Sequence, residues 1–354
     1  FNTDIYTGNG QTTAQGSNAI NEVGFQPDWV WLKKRDSAGA NVDHVAYNST
    51  MGVNSALFPS NTGAEGTFSN QFKSFDSGGF TVALADDGSF GLNRNSSPFV
   101  SWNWKANGGT TTTNDASATS IGDRDSVIQA NTTAGFSIVT YTGSGQTGAG
   151  NDDTYAHGLG VVPEVIICKN RNVADAWLFG ATAIPSFNWA NDYMHLNDDI
   201  GHQTNANRSA FSVTPTDEVF SVGEFLNKAN NYVAYLFASV EGYSKIGTYK
   251  GNSAASGTFV HLGFRPAWVM IKAVSGVTGQ YWCIFDNKRD PFNDQASQVL
   301  YVNASDAEGT GGIDIDFLSN GMKMRDAGNN HNSSSGVYIY MAFAETPFKY
   351  ALGR

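Results

Sequence analysis

One apolar segment that enters at proline and leaves at lysine is written three times in this chain. The copies are Gly24-Phe25-Gln26-Pro27-Asp28-Trp29-Val30-Trp31-Leu32-Lys33, Gly160-Val161-Val162-Pro163-Glu164-Val165-Ile166-Ile167-Cys168-Lys169 and Gly263-Phe264-Arg265-Pro266-Ala267-Trp268-Val269-Met270-Ile271-Lys272. Each follows a Tyr-x-Gly turn, at Tyr6-Thr7-Gly8, Tyr141-Thr142-Gly143 and Tyr249-Lys250-Gly251. Runs rich in β-branched and aromatic residues, entered at a proline where no ladder N–H is required, predict strands. A chain that copies one unit without copying a set of reactive side chains reads as a binding or building protein.

The ends of the copies agree as well. Phe99-Val100-Ser101-Trp102-Asn103-Trp104 matches Tyr232-Val233-Ala234-Tyr235-Leu236-Phe237 and Tyr338-Ile339-Tyr340-Met341-Ala342-Phe343, with aromatics spaced for a strand that packs one face inward. Ala64-Glu65-Gly66-Thr67 recurs as Ala307-Glu308-Gly309-Thr310. Turn signals such as Asp86-Asp87-Gly88 and Ser319-Asn320-Gly321 separate short alternating runs, and no window carries a capped helical stripe. The fold expected is all-β: three related tandem antiparallel β-sandwich domains of jelly-roll or concanavalin-like type. Their bounds are 1–106, 134–243 and 244–354, with a Gly/Thr/Asn-rich linker at 107–133. The lysines closing each motif are expected to keep packed stems and wet ammonium groups.

Composition narrows the partners. Net charge is −11 and no basic stripe is visible, which argues against nucleic acid and anionic lipid. No apolar stretch reaches transmembrane length and no signal-peptide pattern occurs. Cys168 and Cys283 read as buried reduced thiols, with pairing between copies the alternative.

Catalytic patterns are scarce. Gly143-Ser144-Gly145-Gln146-Thr147-Gly148 is a literal G-x-G-x-x-G, but Ala149-Gly150-Asn151-Asp152-Asp153 follows instead of a helix, so it reads as a strand–strand loop. Paired carboxylates at Asp86-Asp87, Asp152-Asp153, Asp198-Asp199 and Asp314/Asp316 read as turns or strand faces rather than a glycosidase pair, with Asp198 and Asp199 the calcium candidates. Trp189 stands apart from the strand tryptophans, in a polar stretch that the other copies lack. With Asn188, Asn191, Asp192 and Tyr193 it forms the candidate ligand-binding set, an exposed ring among amides suited to stacking on sugar. The alternative for 185–203 is a loop packed on a neighbouring copy.

The runs Ala134-Gly135-Phe136-Ser137-Ile138-Val139-Thr140-Tyr141-Thr142-Gly143 and His157 to Lys169, with their third-copy counterparts Gly247 to Asn252 and His261 to Lys272 and the Met341-Ala342-Phe343-Ala344-Glu345 ending, resemble a repeat found in virion proteins of tailed bacteriophages, marine ones especially. The first copy departs from it at Trp31 and across 36–63. The resemblance implies a β-sandwich module on the virion surface, in a tail fibre or head or tail decoration, and brings no catalytic residues. The expectation is therefore a non-enzymatic structural and adhesive appendage protein without cofactor or membrane insertion. Its expected partners are other virion subunits, a homotrimer by analogy, and host-surface glycan. A secreted lectin-like protein or a polysaccharide depolymerase is the alternative.

Overall fold

The computed structural model describes residues 1–37, 42–84, 91–146, 152–205, 210–293, 298–310 and 314–345. The chain is all-β, built from antiparallel sheets with two short 3₁₀ turns and one helical turn among the described residues. Three of the sheets contain the proline-to-lysine segments as strands, at Trp29–Lys34, Val165–Asn170 and Pro266–Ser275. Each pairs with a closing strand (Pro98–Trp104, Asn231–Phe237, Val337–Ala344), which pairs in turn with an opening strand (Asn2–Thr7, Phe136–Thr142, Ser244–Lys250). The register is the same in all three. Lys33, Lys169 and Lys272 stand opposite Val100, Val233 and Ile339, and these stand opposite Ile5, Thr140 and Thr248. A further strand lies beyond the lysine strand each time, at Val45–Asn48, Leu178–Ala181 and Cys283–Asp286.

These strands carry no polar alternation in their central residues, and the reason is that both faces are buried. Val30 and Leu32 face a smaller sheet of the first region, in a core with Ile20, Phe72, Phe80 and Val82. Ile166 and Cys168 do the same with Tyr155 and Phe220, and Val269 and Ile271 with Phe317 and Met322. Each region is thus β-sandwich-like. The opposite faces are buried as well: Trp29, Trp31, Val165, Ile167, Trp268 and Met270 all enter one shared core. At its centre Trp104, Phe237 and Phe343, one aromatic from the end of each closing strand, lie 6.3, 5.8 and 6.1 Å apart by ring centroids. That is close to an equilateral triangle. Trp29 stacks on Tyr235 at 4.2 Å beside it, and Phe1 stacks on Phe343 at 4.9 Å. Each large ring buries roughly 150–250 Å², so this shared core, more than any single sandwich, concentrates the apolar surface of the chain.

The stretch expected to be a linker is built into the second sheet. Ser126–Asn131 pairs along its whole length with Phe136–Thr142, and Thr112–Asn114 pairs outside it. Alternation explains this: Ile128 points into the second core, while Gln129 faces the first region and donates to Ser49 and Thr50 hydroxyls at 2.9 and 2.8 Å. The hairpin between the two strands turns at Gly135, whose φ of +60° and 2.3 Å approach of a notional Cβ to the Ala238 carbonyl admit no side chain.

Candidate functional site

The three motif lysines are reactive groups that the repeat keeps in every copy. Their side chains share the face that enters the central core, so they end in the joints between sheets and not in water. Lys33, Lys169 and Lys272 are 2, 0 and 0% exposed. The expectation of wet ammonium groups is corrected here: a neighbouring region lies over the end of each lysine strand. Lys33 Nζ donates to Val42 O at 2.6 Å and across the joint to Ser305 O at 2.8 Å. Lys169 Nζ donates to Asp175 O at 2.8 Å and to Thr62 O of the first region at 3.0 Å. Lys272 Nζ donates to Gln280 O and to Asp198 O of the second region at 3.4 Å. The first region thus reaches the third, the second the first, and the third the second, and the contacts close a ring. Burial lowers all three lysine pKa values to about 8, partly opposed by nearby aspartates.

A second ring of contacts follows the same direction. Trp177 Nε1 donates to Phe58 O at 2.9 Å and Trp282 Nε1 to His195 O at 2.8 Å. In the first region Trp31 Nε1 donates instead to His44 Nδ1 at 2.9 Å, which fixes the proton on Nε2, and Nε2 donates to Tyr301 O at 3.0 Å. Main-chain bonds repeat the pattern: Glu308 N to Arg35 O at 2.8 Å, Glu65 N to Arg171 O at 2.9 Å and His202 N to Val274 O at 3.1 Å. At two of these joints an ion pair is added, Arg35–Glu308 at 2.8 Å and Arg171–Glu65 at 2.5 Å.

In the set proposed to meet a ligand from 185–203, Trp189 and Asp192 are buried, Asn191 and Tyr193 are half-buried and Asn188 is exposed. Trp189 is 4% exposed and packs edge-on to Phe187 and Phe211, both at 5.1 Å. Gly180 makes the room, since a Cβ there would lie 2.6 Å from the indole. The exposed ring expected from its polar neighbours is therefore corrected: its faces are taken by protein. Asp192 is buried and accepts from Asn188 N and Thr204 Oγ1, each at 2.8 Å. Asn188 Oδ1 accepts from Ala190 N at 3.1 Å, and Asn191 N donates to Asn188 O at 2.9 Å. Tyr193 stacks on His195. These residues build a turn, and the segment packs on the third region through His195 O, Asp198 O and His202 N.

Asp198 Oδ1 accepts from Ile200 N at 3.0 Å while Oδ2 meets His195 Nδ1, which is the bonding of a turn. Among the described residues no three His, Cys, Asp or Glu side chains converge as a metal site. In the glycine-rich loop the N–H groups of Gly143, Ser144 and Gly145 are taken by Asn230 O, Asn227 Oδ1 and Asn227 O, so they are not offered to a phosphate. Thr147 and Gly148 of that motif lie outside the described residues, as do Asp86-Asp87-Gly88. Cys168 and Cys283 are free and buried, and burial pushes both thiols up. No helix among the described residues is long and apolar enough to cross a membrane.

One recess was not read from the sequence. It is an open hollow of about 570 Å³ between the 112–126 stretch and the second sheet, lined by Asp123, Arg124, Asp125, Thr140, Arg171 and Asn231 among others. A smaller hollow of about 330 Å³ shares Arg171 and Asn231 and runs on to Glu65 and Thr67 of the first region. The signal was present in the 107–133 stretch, where Asp115-Ala116-Ser117-Ala118 is a capped helical start: Asp115 accepts from Ser117 N and Ala118 N.

Neither the curated proteins nor the solved structures contain a match to this chain. A family profile described as Domain of unknown function (DUF7483) matches residues 1–347, nearly the whole of the folded ring. The chain belongs to the DUF7483 family.

Proposed function

We propose that this chain is a non-enzymatic structural and adhesive module of a virion appendage, a tail fibre or a head or tail decoration. In this reading it consists of three related copies of one jelly-roll or concanavalin-like sandwich, closed on one another about a pseudo-threefold axis. The observation that carries the proposal is the triangle of Trp104, Phe237 and Phe343, together with the cyclic lysine contacts around it. A motif that recurs in sequence, in register and in its role at each joint is what duplication of a single ancestral unit leaves behind. The repeat spends its lysines on holding sheets together, so the copied chemistry is architectural. A rigid threefold knob within one chain suits a particle whose appendages are built on threefold axes.

The partners in this reading are other virion subunits and a host-surface glycan, and the site of action is the outside of the particle. The threefold arrangement expected between chains is supplied within one chain, which predicts a single-chain mass in solution before assembly. Immunogold electron microscopy of purified particles made from the encoding genome tests the location. Label on the tail or head appendage supports the proposal. Particles without label, with the chain recovered from the culture medium, overturn it, and the secreted lectin-like or depolymerase reading then takes its place.

A further inference from the structure

We propose that the recess beside the second sheet is a binding site for a neutral oligosaccharide. The inference deepens the adhesive part of the proposed function and rests on it for the origin of the ligand.

Among the described residues the strands that build this recess have no counterpart in the other two regions. Among the described residues the opening strands of the first and third regions pair on one side only, with their closing strands, whereas that of the second also carries Ser126–Asn131. Covering that sheet edge requires only this one strand. The remainder, Thr112–Asn114 and the capped Ala116–Thr119 turn, stands beyond it and forms a wall against Thr140 and Asn231. The wall therefore adds a hollow rather than closing an edge. Its volume, about 570 Å³, falls within the range of small-ligand sites.

The lining selects the ligand. The outer guanidinium nitrogens of Arg124 and Arg171 make no hydrogen bond among the described residues, because each arginine pairs through Nε, to Asp153 and Glu65 respectively. Asp123 uses Oδ2 on Thr154, and Asp125 uses Oδ1 on Ala116 N, which leaves one carboxylate oxygen of each. Asn231 accepts from Thr142 through Oδ1 and keeps its amide N–H groups. Free donors and free acceptors thus line one hollow. A polyanion would meet the carboxylates of Asp123 and Asp125, and an apolar ligand would leave the charged groups dry. A neutral polyol, whose every hydroxyl both donates and accepts, satisfies both kinds of group. With no exposed aromatic in the lining to stack on a ring, a single site binds weakly, and affinity at a surface comes from many copies on one particle.

The test is saturation-transfer NMR on the intact chain with maltohexaose and fragments of mannan, laminarin and galactan, with alginate oligomers as the acidic comparison. At least one neutral oligosaccharide is expected to bind at millimolar concentration. Thr140→Tyr, which fills the hollow, and Arg124→Gln, which removes a free fork, are each expected to weaken that binding about tenfold or more, with thermal unfolding unchanged. Absence of binding by every neutral oligosaccharide, preference for alginate, or binding that survives both substitutions overturns the proposal. Particles that carry the chain while it binds none of these sugars sink this inference alone. A sugar-binding chain that is absent from particles sinks only the location.

Discussion

At the joint between the first and third regions Trp31 passes its N–H to His44, and His44 reaches Tyr301 O; at the joint between the second and third, Trp282 reaches His195 O by itself. The first of these joints also buries charge. Arg289, with no exposed side-chain surface, donates to Asp286 at 2.5 Å and Glu308 at 2.8 Å, Trp102 Nε1 donates to the same Asp286 at 3.0 Å, and Arg35 adds its own pair to Glu308. The second–third joint has His202 and Val274 where the others hold an arginine and a glutamate. What stays constant is main-chain geometry: an N–H donor from one sheet meets a carbonyl at the same place in the next. The side chains that exploit it differ. Buried ion pairs add little net stability, but they penalise wrong pairing, and they are densest where the two sequence-distant regions must find one another to close the ring.

The joints differ most at the buried charge. Arg289→Met leaves Asp286 without its cation and is expected to cost about 3–5 kcal/mol in urea unfolding. Trp282→Phe at the second–third joint loses an N–H and some volume, at about 1–3 kcal/mol. The two costs would be equal if the joints were alike. Next in size come the lysines. Lys169→Met orphans Thr62 O and Asp175 O and is expected to cost about 1–3 kcal/mol at neutral pH. A distinct signature accompanies it. The folded lysines lose protons near pH 8 while unfolded lysines hold theirs to the ordinary value of 10.5, so folding stability should rise with pH through that window. The rise is read below about pH 10, before the buried tyrosines oppose it, and each Lys→Met substitution should flatten it by about one third.

A smaller effect separates the joints by acid. Burial holds His44 well below its usual pKa, so the unfolded chain takes up a proton that the folded chain refuses, and stability is lost as pH falls below about 6.5. His44→Gln should reduce that acid slope without abolishing it, because His157 is also lowered by burial. Trp282→Phe should leave the slope as it is. The check is a set of urea midpoints between pH 7 and 5.

The strands and their order within each region were legible, since Trp29-Val30-Trp31-Leu32 and its counterparts have the composition and length of sheet elements. Their second buried face was legible too, because a half-exposed strand alternates and these do not. What local sequence could not supply was the identity of the covering layer. Ser305, Thr62 and Asp198 lie far along the chain from the lysines they receive, and a carbonyl acceptor leaves no mark on residue type. Trp189 was misread for a related reason. Its neighbours in sequence are polar, while Phe211 and Gly180, which enclose it, come from other parts of the chain. The recess depends on folding 112–126 back along a sheet edge, which the Ser126–Asn131 alternation signalled and the Gly- and Thr-rich flank obscured.

Three sandwich-like regions that share one core cannot melt separately. Differential scanning calorimetry of the intact chain reads this coupling, because shared burial at Trp104, Phe237 and Phe343 ties every region to the others. A single transition, with calorimetric and van't Hoff enthalpies that agree, is the expected result. Two or three separable transitions, each with the enthalpy of a domain about one third of the chain, would show independent sandwiches and contradict the ring.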